Sequence, residues 1–159
     1  MEKTIRLIEE FAQTIKFLRE EKDNVIIGGA AALKMHGLEI GREVDDLDVI
    51  IYSPTENQKR ILDTLELISK TKYYGPEENR RTIKIENNKL VLNIIKEAGG
   101  VPRNLLSVNF RNSSILIQSI SNVIKAKVGY TMNYDDGTYM RAKDMKDLVI
   151  LKNLNFNFE

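Results

Sequence analysis

The sequence predicts an α+β domain, and three stretches carry that prediction. Glu2 to Glu21 spaces its apolar residues three and four apart. Val25 to Ile27 is an apolar run that stops at two glycines. Leu47 to Tyr52 is a second apolar run, headed by acids. Helical and extended periods therefore occur in one short chain.

The first stretch, with Ile5, Ile8, Phe11, Ile15 and Leu18 on one stripe, is an amphipathic helix that Asp23-Asn24 breaks. Val25 to Ile27 follows as a buried strand. At Gly28-Gly29 the backbone can turn sharply and approach a ligand closely, because neither residue has a Cβ. A short alanine-rich helix, Ala30 to Met35, suits close packing on a sheet, and Gly37 is a natural left-handed residue to end it. His36, the sole histidine, reads as a helix-end residue bonded to backbone ahead of any phosphate contact or proton-carrying role.

Leu47 to Tyr52 is the second strand. Side chains two apart on a strand share a face, so Asp46 and Asp48 point the same way, roughly 6.5–7 Å apart along the chain. Asp45 falls on the opposite face as a solvated turn residue. In Ser53-Pro54-Thr55-Glu56 either Ser53 or Thr55 can cap the helix that follows, whose buried face is Ile61, Leu62, Leu65 and Ile68. Tyr73 and Tyr74 lead into a polar loop. Arg81 to Glu86 and Leu90 to Ile95 read as a hairpin around Asn87-Asn88. Ala98 to Pro102 is a loop. Leu105 to Phe110 and Ser114 to Ile117 add two short strands, Ser119 to Val128 is a helix, and Tyr130 to Tyr139 is a polar loop. A last helix opens at Arg141-Ala142-Lys143-Asp144.

Composition narrows the function. With 159 residues the chain is most simply one domain. A formal net charge of +1 gives no global basic field of the kind that argues for nucleic acid. The absence of cysteine excludes disulfides, thiolate metal sites and cysteine nucleophiles. No apolar run approaches the roughly 18 residues of a membrane span. The opening MEKTIRLIEEFAQ carries acids and no continuous apolar region, so it does not read as a secretory signal. A cytoplasmic enzyme or binding protein is the resulting expectation.

Two carboxylates on one strand face, opposite a glycine turn that feeds a helix, can hold a divalent cation against a phosphate chain. In order, Gly28, Gly29, Ala31, His36, Gly37, Arg42, Asp46 and Asp48 form a pattern. It resembles the nucleotidyltransferase superfamily of DNA polymerase beta-like enzymes, and most closely its small bacterial AbiEii-type branch. The resemblance covers about Val25 to Leu154. It implies a nucleotidyltransferase fold: a small mixed β-sheet flanked by helices, with C-terminal helices. It also implies one domain over 1–159, with 1–24 a leading helix, 25–118 the catalytic core and 119–159 the C-terminal helices.

The implied reaction is transfer of a nucleoside monophosphate from an NTP to a hydroxyl of RNA, protein or a small molecule. Magnesium or manganese would sit on Asp46 and Asp48, and Gly28 and Gly29 would cradle phosphates. Arg42, Lys127 and Arg141 are the basic residues implied at the nucleotide, and an RNA or a cognate partner protein is implied by the small size. Several members of this branch serve in toxin–antitoxin or phage-defence pairs. The tail Arg141-x-Lys143-Asp144-x-x-Asp147 also fits, although Lys143 and Asp147 can pair on one helix face.

One position departs from the pattern. Where the family places a third carboxylate, this chain has Asn93, within Val91-Leu92-Asn93-Ile94-Ile95. Asparagine can ligate a metal through its carbonyl but cannot take a proton from a hydroxyl at neutral pH. Three readings stand side by side: transfer with two acids, substitution by Glu86 or Glu97, or a catalytically silent module that binds nucleotide or a partner. A Rossmann-type binder is disfavoured, since the glycines lack G-x-G-x-x-G spacing.

Overall fold

The computed structural model describes residues 2–20, 22–68, 70–73, 81–87, 90–97, 99–132 and 142–156. In chain order these form α1 (Glu2–Arg19), β1 (Val25–Gly28), α2 (Gly29–Met35), β2 (Asp46–Tyr52), α3 (Glu56–Ile68), β3 (Lys70–Tyr73) and β4 (Arg81–Asn87). They continue with β5 (Leu90–Glu97), β6 (Leu106–Phe110), β7 (Ser113–Ile117), α4 (Ile120–Met132) and α5 (Ala142–Asn153). The strands make one seven-stranded sheet in the order β3-β4-β5-β2-β1-β7-β6. It is mixed: β2 with β5 and β1 with β7 run parallel, and the remaining neighbours are antiparallel. The expected α+β class and mixed sheet are both present.

Alternation along the strands separates two faces. Leu47, Val49 and Ile51 of β2, Leu90, Leu92 and Ile94 of β5, and Val25 and Ile27 of β1 enter the main core. There they meet Leu7, Ile8, Phe11, Ile15 and Leu18, the buried stripe of α1, which packs across β1, β2 and β5. The opposite face of β2 is left with Asp46, Asp48 and Ile50. Apolar burial on one side thereby forces the acids to the other.

Some local expectations are corrected. β3, with sequence Lys-Thr-Lys-Tyr, has no apolar run to announce it and exists by pairing with β4. α4 continues to Met132, beyond the point where a loop was expected. The Asn87-Asn88 turn lies partly outside the described residues, though Asn87 pairs with Leu90 as a hairpin requires.

At the start of α3 the cap is Thr55. Its Oγ1 accepts from the Gln58 N–H at 3.1 Å, while the Gln58 Oε1 accepts from the Thr55 N–H at 2.9 Å. This reciprocal capping box leaves Ser53 outside, at φ 46, donating to the Gly99 carbonyl at 2.7 Å. Gln58 does more than cap. Fully buried, it donates to the Leu18 carbonyl and to Asn24 Oδ1, both at 2.7 Å, and accepts from Asn24 Nδ2 at 2.8 Å. Asn24 in turn donates to the Tyr52 carbonyl at 2.9 Å. The end of α1, the entry to β1, the end of β2 and the start of α3 are thus joined by two amides.

Removing one amide strands several buried partners, each costing about 1–3 kcal/mol. Gln58→Ala is therefore expected to lower unfolding stability by about 3 kcal/mol, whereas the exposed Thr64→Ala changes it by less than about 0.5 kcal/mol. Urea denaturation followed by circular dichroism measures both.

Candidate functional site

The site is built on one row of the sheet. Gly28 pairs with Asp48 across β1 and β2, and Asp48 pairs with Asn93 across β2 and β5. Paired residues lie side by side on the same face, so the diglycine bend, the second acid and the asparagine are neighbours by construction. Asp46 stands one step along, opposite Val91.

Gly29 has φ +62, a left-handed conformation that other residues adopt only with strain. A Cβ at this position would lie 2.6 Å from Asp48 Oδ2. The carboxylate of Asp48 is therefore turned toward the bend and packed against its backbone. A Cβ on Gly28 would meet Gln118 Oε1 and Ile50 Cδ1, each at 2.7 Å. A Cβ at either glycine would have to displace a neighbouring side chain, and at Gly29 the positive φ adds backbone strain.

Asn93 joins the acids. Its Nδ2 donates to Asp46 Oδ2 at 2.8 Å and to Asp48 Oδ1 at 3.1 Å. The assignment follows from chemistry, because carboxylate oxygens accept and only the amide nitrogen donates. Two oxygens that share one nitrogen lie close together. Magnesium takes oxygen ligands and is usually held by one or two carboxylates plus substrate phosphate and water. The donor set of Asp46 and Asp48 fits that ion, with the carbonyl of Asn93 as a third oxygen if its amide turns. Among the described residues no group of three His, Cys, Asp or Glu side chains is placed to hold a metal.

The register also places the two glutamates. Glu97 pairs with Tyr52 and lies four residues from Asn93, about 13 Å along the strand. Glu86 pairs with Val91, which pairs with Asp46, so its backbone stands two strand spacings, about 9.5 Å, from that of Asp46. Neither backbone position adjoins Asp48, where Asn93 stands.

The basic residues have partners of their own. Arg42 grips Asp147 with two bonds, Nε to Oδ1 at 3.2 Å and a terminal nitrogen to Oδ2 at 2.7 Å. Burial pulls the Arg42 pKa down, but its hydrogen bonds to Asp147 and the fields of Asp147, Asp46 and Asp144 outweigh it, and the net shift is upward. Lys127 is 5% exposed and lies between Asp144 at 2.8 Å and Asp147 at 2.9 Å. Two of the three cations expected at phosphates, Arg42 and Lys127, are thus committed to acids of α5. Asp147 serves Arg42 and Lys127, and the Lys143 side chain expected beside it lies outside the described residues, as does Arg141. Asp45, expected to be solvated, is exposed and pairs with Lys3 at 2.7 Å.

His36 ends α2, and its Nε2 lies 2.8 Å from the Gln118 carbonyl, so that nitrogen carries the proton. This is the backbone-bonded placement read from the sequence. Gln118 itself was not foreseen. It follows an ordinary apolar run, and nothing one-dimensional marks it. Buried at the end of β7, it donates its N–H to the Ile27 carbonyl at 2.8 Å, and its Oε1 accepts from the Gly29 N–H at 3.3 Å. That N–H is one of the donors expected for phosphate.

No family model matches the chain, nor does any curated protein. Solved structures do. JHP933 from Helicobacter pylori is 17% identical, with 99% of this chain and 70% of that one covered at a TM-score of 0.54. A proposed nucleotidyltransferase from H. pylori is also 17% identical, covered over 99% and 72% at 0.55. The ANT(2'')-Ia structure in complex with adenylyl-2''-tobramycin is 12% identical, covered over 96% and 86% at 0.52. The chain shares the fold of these structures, the second of which is named for nucleotidyl transfer. The likeness to the AbiEii-type branch rests on the sequence motifs.

Two glycine substitutions isolate the close approach. Gly37 also has positive φ, +83, but a Cβ there meets nothing within 4 Å. Gly37→Ala should cost about 1–2 kcal/mol from its backbone alone. Gly29→Ala should cost about 1–3 kcal/mol more by pushing against Asp48. Equal losses in chemical denaturation would contradict the placement of Asp48 against the bend.

Proposed function

We propose that this chain is a metal-dependent nucleotidyltransferase domain, transferring NMP from an NTP to a hydroxyl acceptor. The observation that carries this reading is the Gly28–Asp48–Asn93 row, which turns the Asp48 carboxylate onto the diglycine bend beside Asp46. Asp46 and Asp48 would hold magnesium or manganese beside the Gly28-Gly29 bend, at which the phosphate chain would bind. The ion supplies charge neutralisation and alignment at the α-phosphate. The protein's own part is orientation: both acids sit on a sheet strand, and strand-borne groups are held more firmly than loop-borne ones.

The acceptor is less constrained. ANT(2'')-Ia is an antibiotic-resistance factor seen with an adenylylated tobramycin, which supports a small-molecule hydroxyl as one acceptor class beside RNA or protein. A toxin–antitoxin or phage-defence role has the sequence resemblance alone behind it.

Asn93 supports a second reading, a silent module that binds nucleotide or a partner without turnover. It occupies the position across from Asp48, and an amide cannot accept the acceptor hydroxyl's proton.

Incubation with each labelled NTP, magnesium and either total RNA or a panel of small polyols and aminoglycosides separates the two. Label transfer that falls at least about 100-fold in Asp48→Ala supports the transferase. Nucleotide binding without transfer, with transfer appearing in Asn93→Asp, supports the silent module. Absence of nucleotide binding in the unaltered protein rejects the transferase and the nucleotide-binding form of the silent module.

A further inference from the structure

We propose that the amide of Asn93 is a built-in stand-in for the cation: its two N–H groups bridge Asp46 and Asp48 and must turn away before an ion is received. This rests on the reading of Asp46 and Asp48 as a cation site and adds how the chain manages that site without one.

Two carboxylates on one strand face repel each other, and each wants a hydrogen-bond donor. A primary amide has two N–H groups splayed in one plane, and Asn93 directs its Nδ2 to one oxygen of each acid, at 2.8 and 3.1 Å. Both donors are used. Two described cations of the region lie on other acids, Arg42 on Asp147 and Lys127 on Asp144 and Asp147. Asn93 is a neutral group that bridges the two acids through one nitrogen. An aspartate at the same place has nearly the same shape but brings a third negative charge and no donor.

The bridge also opposes a bare ion. As oriented, Asn93 presents hydrogens to the space between the carboxylates, and a cation there would face the positive end of the amide. Rotation about the last side-chain bond exchanges nitrogen for Oδ1, at the cost of both hydrogen bonds. An ion arriving alone has little to offset that loss. An ion arriving with a triphosphate brings further ligands. The chain should therefore stay folded in chelator, respond weakly to a divalent ion by itself, and take the ion up together with nucleotide.

Thermal unfolding in EDTA and in manganese chloride tests this without reference to turnover. The unaltered protein should melt within about 1 °C in EDTA and in 1 mM manganese, and Asn93→Asp should lose about 5 °C or more in EDTA and regain most of it in manganese. Asn93→Ala, which removes the donors without adding charge, should melt below the unaltered protein in EDTA and gain less from manganese than Asn93→Asp. Equal melting of Asn93→Asp and the unaltered protein in EDTA overturns the stand-in role and leaves the transferase reading intact. A manganese shift in the unaltered protein as large as that in Asn93→Asp overturns it as well. Loss in Asn93→Asp that manganese does not relieve overturns the cation site itself, and the transferase reading with it.

Discussion

Parallel pairing of β2 with β5 is the constraint on which the site depends. It sets Asp48 against Asn93, and the antiparallel pairing of β1 with β2 sets Gly28 against Asp48. Backbone hydrogen bonds hold this register, and Leu47, Val49, Leu92 and Ile94 hold it again from the core side. A slip of one residue would bury both acids and expose those apolar side chains. Folding and site assembly are consequently the same event, since the chain cannot bury its core without presenting Asp46 and Asp48 together.

The C-terminal helix enters this arrangement through charge. Asp147 is fully buried and lies between Arg42 and Lys127, with Asp144 on the far side of the lysine. Among the described residues two acids face two cations, and such pairing is what lets ionised groups be tolerated away from water. Arg42 belongs to the segment just before β2, and its field reaches Asp46. The ion network therefore fixes α4 and α5 to the segment that leads into β2.

Much of this was legible in one dimension. The acidic pair, the diglycine bend and the leading helix were readable because each is a local pattern: parity of two, a paired loss of Cβ, and a period near 3.6. The position of Asn93 on its own strand was also readable, from the apolar residues that flank it. Which of Asn93, Glu86 and Glu97 stood beside the acids was not, because strand partners are set by long-range pairing. Thr55 and Ser53 were equally good caps on paper. The contact of Gln58 with Leu18 and Asn24 chose between them.

The amino-acid string alone established the chemistry at hand: two carboxylates on one face, glycines where backbone must come close, an amide where an acid was expected, and no thiol at all. Those are properties of residues and their immediate neighbours. Three-dimensional packing assigned the partners: Asn93 to both acids, Gln118 to the Gly29 N–H, and Arg42 to Asp147 at a separation of 105 residues. A side chain's type is written locally, but the group it meets depends on how distant segments are brought together when the core closes.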